Sequence, residues 1–235
     1  MIGVDVILDV CMGLRPNESC LIVSDNMTPR VIEEALFLGA LKRGSEVGLL
    51  RMKSRSMNGE EPPFFVREAM KNADVILIPT SKSLTHTNAR REANKHGARI
   101  ASMPGITPDM LLEGGLTADY EFISRISESL KDRLEGVKSI HITTPLGTDV
   151  KLDVEGRKWH VDKGICREKG GVTNLPAGEV YVSPKRAEGV LVVDGSMAGI
   201  GKLSGLLRME IRNRCAVKIE GEGSSKLNAM LDEIG

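Results

Sequence analysis

One carboxylate in this sequence stands where chemistry could be done. In the segment Gly170-Gly-Val-Thr-Asn-Leu-Pro-Ala-Gly-Glu-Val-Tyr-Val-Ser-Pro184, a turn containing Pro176 and Gly178 delivers Glu179 to the start of a predicted strand. A carboxylate fixed by a rigid turn suits metal ligation, because coordination demands closely held geometry. A solvated acidic residue at a strand end is the other reading, and the residues alone leave both open.

A second candidate is the hydroxyl-rich run Thr80-Ser-Lys-Ser-Leu-Thr-His-Thr87, which leads into a predicted helix N-terminus. Free N–H groups at such a place can hold an anion or a carboxylate. The same hydroxyls can instead cap the helix and shape the loop. The histidines, His86, His96, His141 and His160, form no H-x-x-x-H or H-x-H pair, and none follows His160. Cys11, Cys20, Cys166 and Cys215 show neither zinc-site spacing nor a disulfide framework. Cys20 and Cys215 lie in apolar runs, so buried thiols are expected. Gly199-x-Gly-x-x-x-Gly205 precedes an alternating, strand-like segment where a phosphate loop needs a helix, and it reads as a β-turn. The first strand-to-helix turn, Ser24-Asp-Asn-Met27, contains no glycine, which argues against a nicotinamide site.

The elements that would position these residues follow from apolar spacing. Strands are predicted at 20–23, 47–50, 75–78 and 99–102, the third of them apolar throughout, as in a strand buried on both faces. Between them, Val31, Ile32, Ala35, Leu38 and Leu41 recur at helical spacing, with Thr28 as expected N-cap, Pro29 at the first helical position and Gly44 as the stop. A short helix is predicted from Phe65 to Lys71 and a polar one from Thr85 to His96. This alternation implies right-handed crossovers and a parallel sheet with helices on both faces, a Rossmann or flavodoxin-like α/β domain. In this open sheet, ligands gather beyond the C-terminal strand ends.

From about residue 115 the pattern changes. Thr117–Leu134 reads as one amphipathic helix, and short glycine-punctuated strands follow at 139–143, 148–154, 179–182, 189–194, 206–211 and 215–219. A last short helix is predicted over 224–234, with Leu227, Met230, Leu231 and Ile234 on one face. The expected organisation is a parallel α/β domain over 1–115, a connecting helix over 116–136, and a smaller β-rich α+β domain over 137–235.

Composition narrows the function classes. Lys plus Arg and Asp plus Glu each number 32, so the formal charge is zero and non-specific nucleic-acid binding is not expected. No apolar run reaches the roughly 18 residues of a membrane span, and no signal peptide is visible. A cytoplasmic protein with no membrane partner is expected.

The segment Asn174-Leu-Pro-Ala-Gly-Glu-Val-Tyr181 with Ser183-Pro184, followed by Glu188-Gly-Val-Leu-Val-Val-Asp-Gly195, resembles the aminopeptidase T family of metallopeptidases, also called thermophilic leucyl aminopeptidases. Pro79-Thr-Ser-Lys-Ser-Leu-Thr-His-Thr-Asn-Ala-Arg90 and Ala98-Arg-Ile-Ala-Ser-Met-Pro-Gly-Ile-Thr107 are similar to its archaeal and bacterial branch. The likeness spans nearly all of the chain. It implies hydrolysis of N-terminal residues from a peptide substrate by two divalent metals, zinc, cobalt or manganese. It also makes Glu179 the first metal-ligating glutamate. The superfamily also resembles a dihydroxypyridine ring-opening dioxygenase that uses one ferrous ion, a second expectation for the activity, with its iron ligands too expected in a part this sequence lacks.

The family's other ligands are a second glutamate, two histidines, a tyrosine and an aspartate further along. This sequence has no histidine after His160 and no tyrosine after Tyr181. A catalytic centre takes at least three protein ligands. The expectation is therefore an incomplete or inactive aminopeptidase-like chain, truncated at the end of its β-rich half and pairing with a second copy as a dimer. A non-catalytic binding or assembly remnant, using the Thr80–Thr87 edge for a small carboxylate or peptide terminus, is the third reading.

Overall fold

The computed structural model describes residues 1–232. The chain opens with α1 (Ile2–Asp5), continued by a π-helical segment, Val6–Cys11. Then β1 (Ser19–Asp25), α2 (Arg30–Lys42), β2 (Glu46–Met52), α3 (Phe64–Met70), β3 (Val75–Ile78), α4 (Asn88–Lys95) and β4 (Arg99–Ser102) alternate, and α5 (Tyr120–Leu134) follows. The remainder holds β5 (Ser139–Thr143), β6 (Asp149–Asp153), β7 (His160–Asp162), β8 (Val172–Asn174), β9 (Glu179–Tyr181) and β10 (Arg186–Val193). It ends with β11 (Ser196–Met197), β12 (Gly201–Lys202), β13 (Leu207–Arg212), β14 (Cys215–Gly221) and α6 (Ser224–Asp232). Ile234, expected on the apolar face of the last helix, lies outside the described residues.

The chain forms two compact units, Met1–Leu130 with Val161–Val180, and Lys131–His160 with the chain from Tyr181 onward. The first is an α/β unit on a five-stranded parallel sheet, in the order β2-β1-β3-β4-β8. That is the flavodoxin-like order, with its reversal between β1 and β3. Alternation along the strands explains the two layers of helix. Cys20, Ile22, Val75 and Leu77 point to one face and pack with Val4, Leu8, Ile32 and Leu36. Leu21, Val23, Ile76 and Ile78 point to the other and pack with Val66 and Met70 of α3 and Ala89 and Ala93 of α4. Each large apolar side chain so buried contributes roughly 1.5–3 kcal/mol.

In the second unit β14-β13-β10-β6-β5 form an antiparallel sheet, with a bulge between Glu210 and Ile211. Its core gathers Leu203, Leu207 and Met209 under Leu227 of α6. β11 and β12 make a small hairpin whose turn contains Gly199, the β-turn expected there. β7 and β9 form a two-stranded ladder. Among the described residues no helix is long and apolar enough to cross a membrane.

Four expectations need correction. Residues 161–180, placed from sequence with the β-rich half, return to the first unit, where β8 pairs in parallel with β4. β8 has only three residues, too few for its periodicity to register. Thr28 is not the cap of α2: Pro29 stands there, and the Thr28 hydroxyl donates to the Pro79 carbonyl at 2.6 Å. α4 begins at Asn88, not Thr85, because the Thr87 hydroxyl accepts the Arg90 N–H and fixes the start there. Cys215 is exposed, since it begins the edge strand β14; Cys11, Cys20 and Cys166 are buried. Burial pushes the Cys11 and Cys20 thiols up to about 12 and Cys166 to about 11, so none of the three is a thiolate near neutral pH.

Candidate functional site

The polar groups of the first unit collect at the C-terminal ends of β1, β3, β4 and β8. Asp25 closes β1 and is buried. Burial raises its pKa, but donors surround it: the Ser81 N–H and hydroxyl, both at 2.7 Å, the Met27 N–H at 2.9 Å and the Thr28 N–H at 3.1 Å. Their sum wins and holds the carboxyl below its ordinary range. Asp25 is therefore a structural clamp between the loops after β1 and β3.

The Thr80–Thr87 run does not present a free anion site. The Thr80 hydroxyl donates to the Lys82 carbonyl at 2.6 Å, and the Thr87 hydroxyl to the Leu84 carbonyl at 2.7 Å. The first N–H groups of α4, from Asn88 and Ala89, donate to the Glu61 carboxylate at 2.5 and 3.1 Å. The protein thus places its own carboxylate where an external one was expected. Thr85 turns inward, its hydroxyl 2.8 Å from Ser102 Oγ and 3.0 Å from Asn174 Oδ1. That links the ends of β4 and β8.

Beyond Asn174 lies the turn that carries Glu179. Asp162 holds its base: its carboxylate accepts the Thr173 hydroxyl at 2.5 Å and the Asn174 N–H at 2.9 Å. Tyr120 holds its middle. The buried Tyr120 hydroxyl accepts the Ala177 N–H at 3.3 Å and donates to the Gly115 carbonyl at 3.0 Å. Burial pushes this phenol up to about 12, so it stays a donor across the physiological range. The Leu175–Pro176 peptide is cis. Two glycines give the turn room. At Gly115 a Cβ would come within 2.8 Å of Pro176, and at Gly164, with φ +76°, it would overlap the Tyr120 ring.

Glu179 emerges from this support exposed, with no hydrogen bond or ion pair among the described residues. With Asp162, Asn174 and the Pro176–Gly178 turn it borders a cleft of about 320 Å³. As a free carboxylate on an anchored turn, it fits the part of one metal ligand. A whole centre does not fit: no group of three or more His, Cys, Asp or Glu that could hold a metal occurs among the described residues. Asp162 has its oxygens occupied by Thr173 and Asn174. His86 and His96 are exposed, His141 pairs with Asp149 at 2.7 Å, and His160 stacks on Tyr181 at 5.4 Å between ring centroids. Sequence reasoning found Glu179 but not Asp162, Tyr120, Gly115 or Gly164. Only the D-x-G spacing of Asp162 and Gly164 could have hinted at them.

The chain is of the two-unit α/β class, with a flavodoxin-like parallel sheet, an antiparallel β unit, and the exposed Glu179 carboxylate on a clamped turn. The model of a family described as NicX: 2,5-dihydroxypyridine 5,6-dioxygenase matches residues 6–231, and the chain belongs to that family. Among solved structures, it is similar to 2,5-dihydroxypyridine dioxygenase from Pseudomonas putida KT2440, at 16% identity and TM-score 0.79, covering 98% of this chain and 70% of that one. It is also similar to wild-type AmpT from Thermus thermophilus, at 16% identity and TM-score 0.69, covering 98% of this chain and 73% of that one. Identities this low show a shared fold. A search of curated proteins finds no match.

The family match overturns the aminopeptidase reading, and with it hydrolysis and proteolysis. The likeness to AmpT stands as a likeness of fold, which unrelated chemistries can share.

Proposed function

We propose that this chain serves in the oxygen-dependent opening of a dihydroxylated pyridine ring, with Glu179 as one carboxylate ligand of a ferrous ion. The observation that carries this reading is the dioxygenase family match across residues 6–231. The state of Glu179 supports it: exposed, unpaired among the described residues, and fixed at the start of β9 by Asp162 at the base and Tyr120 at the middle of its turn. The described residues do not by themselves complete a metal centre. What these residues contribute is positional. Asp162 and Tyr120 hold the turn, and the turn holds the carboxylate at one place on the cleft wall. Such preorganisation keeps a ligand from spending binding energy on its own ordering.

Opening a dihydroxypyridine between ring positions 5 and 6 consumes one dioxygen per ring. Both oxygen atoms end in the product, and no external reductant is needed. Oxygen-electrode measurements on the protein with ferrous iron and 2,5-dihydroxypyridine test the reading. Equimolar loss of oxygen and ring absorbance is expected; iron-loaded protein that leaves both unchanged overturns it.

A further inference from the structure

α5 carries an apolar strip that stays about half exposed among the described residues. Tyr120 and Ser127 of this helix are buried, while Phe122, Ile126 and Leu130 are 51%, 48% and 48% exposed. The strip is symmetrical about Ile126. Phe122 and Leu130 lie four residues to either side of it, and Asp119 and Arg133 seven to either side. Positions four apart are neighbours on a helix, and seven residues return to within about 20° of the same direction. An acid, three apolar side chains and a base therefore line one uninterrupted helix, the acid at its N-terminal end and the base at its C-terminal end.

Other charges on α5 are already engaged. Glu121 pairs with Arg167 and Glu128 with Lys163, both at 2.8 Å, and the Arg125 guanidinium lies 5.9 Å from the Phe122 ring centre. Arg133 has no hydrogen bond or ion pair among the described residues. One Asp119 oxygen accepts the Phe122 N–H at 2.9 Å, and Asp119 has no ion pair there. Each charge suits its end of the helix dipole. The dipole does not require their equal spacing about Ile126 on the apolar strip.

We propose that this strip is a self-complementary docking surface, and that its occupant is α5 of a second copy of the chain, running antiparallel. In a two-fold interface residue i meets j and j meets i. With the axis at Ile126, the two Ile126 side chains meet, Phe122 meets Leu130 twice, and Asp119 meets Arg133 twice. A parallel arrangement would oppose like charges, so the charge pattern selects the antiparallel one. Three apolar side chains per copy bury less than the roughly 800 Å² per partner of a standard interface. The dimer is therefore weak, and its population depends on concentration. The proposal is independent of the proposed chemistry.

Sedimentation equilibrium of the full chain from about 1 to about 500 µM tests it. A monomer–dimer equilibrium is expected. Ile126→Glu places two carboxylates on the axis and should weaken it at least about tenfold. Arg133→Asp should weaken it too, and Arg133→Asp combined with Asp119→Arg should restore it, with circular dichroism confirming the fold of each variant. Ile126→Cys in a Cys215→Ser background, which removes the exposed native thiol, should form an intermolecular disulfide on mild oxidation. A chain monomeric throughout the range overturns the proposal. So does a dimer indifferent to Ile126→Glu, a double swap no better than the single, or an Ile126→Cys variant that does not cross-link.

Discussion

The Ala177 N–H donates to the buried hydroxyl of Tyr120 at 3.3 Å, so a phenol on α5 fixes the middle of the turn that presents Glu179. The same hydroxyl donates to Gly115 at 3.0 Å, tying three separate stretches of chain at one atom. Tyr120→Phe should leave the Gly115 carbonyl and the Ala177 N–H without their partner. A loss of about 1–2 kcal/mol is expected, read as a lower denaturation midpoint with an unchanged slope. An unchanged midpoint would show that the phenol does not hold the turn.

Gly164 offers a sharper case. With φ +76° and the Tyr120 ring where a Cβ would go, Gly164→Ala suffers both backbone strain and overlap. Its cost should exceed about 3 kcal/mol. Gly105→Ala is the control: φ is +68° but nothing lies within 4 Å of a Cβ, so only the backbone cost of roughly 1–2 kcal/mol should appear. Paired melting curves check this, and equal losses would refute the role of the ring.

Asp25 should make stability fall in acid. Its folded pKa is depressed, because donors from Ser81, Met27 and Thr28 outweigh its burial. A depressed carboxyl stabilises the fold fully above its unfolded pKa, about 3.9, and loses that contribution as pH falls through the lower folded value. Asp25→Asn should cost about 1–3 kcal/mol at pH 7. The gap to the native chain should narrow below about pH 4. A gap constant with pH would contradict the clamp.

The parallel sheet was legible because β1 to β4 are apolar runs separated by helical periodicity, and local pattern decides such elements. β8 was not, since three residues carry no period and only the pairing of Val172, Thr173 and Asn174 with Ile100, Ala101 and Ser102 makes them a strand. The π-helical segment Val6–Cys11, which buries Ile7, Leu8 and Cys11, likewise has no distinct mark in the apolar spacing. Glu179 could be read from its turn residues. Its supports could not, because Tyr120 and Asp162 reach the turn from 57 and 12 residues away in sequence from their partners Ala177 and Asn174. Nor could the filling of the α4 N-terminus by Glu61, which depends on a loop 27 residues earlier meeting that helix.

Comparing the native chain with Glu179→Gln tests the central claim most directly. Glu179 is exposed and unpaired among the described residues, so the substitution should shift the melting temperature by no more than the equivalent of about 0.5 kcal/mol. Ferrous iron bound per chain and oxygen consumed with 2,5-dihydroxypyridine should both fall at least about tenfold, since losing even a group that only orients a ligand costs about that much. Equal iron and equal oxygen uptake in the two proteins would contradict the placement of Glu179 at the centre of this chemistry.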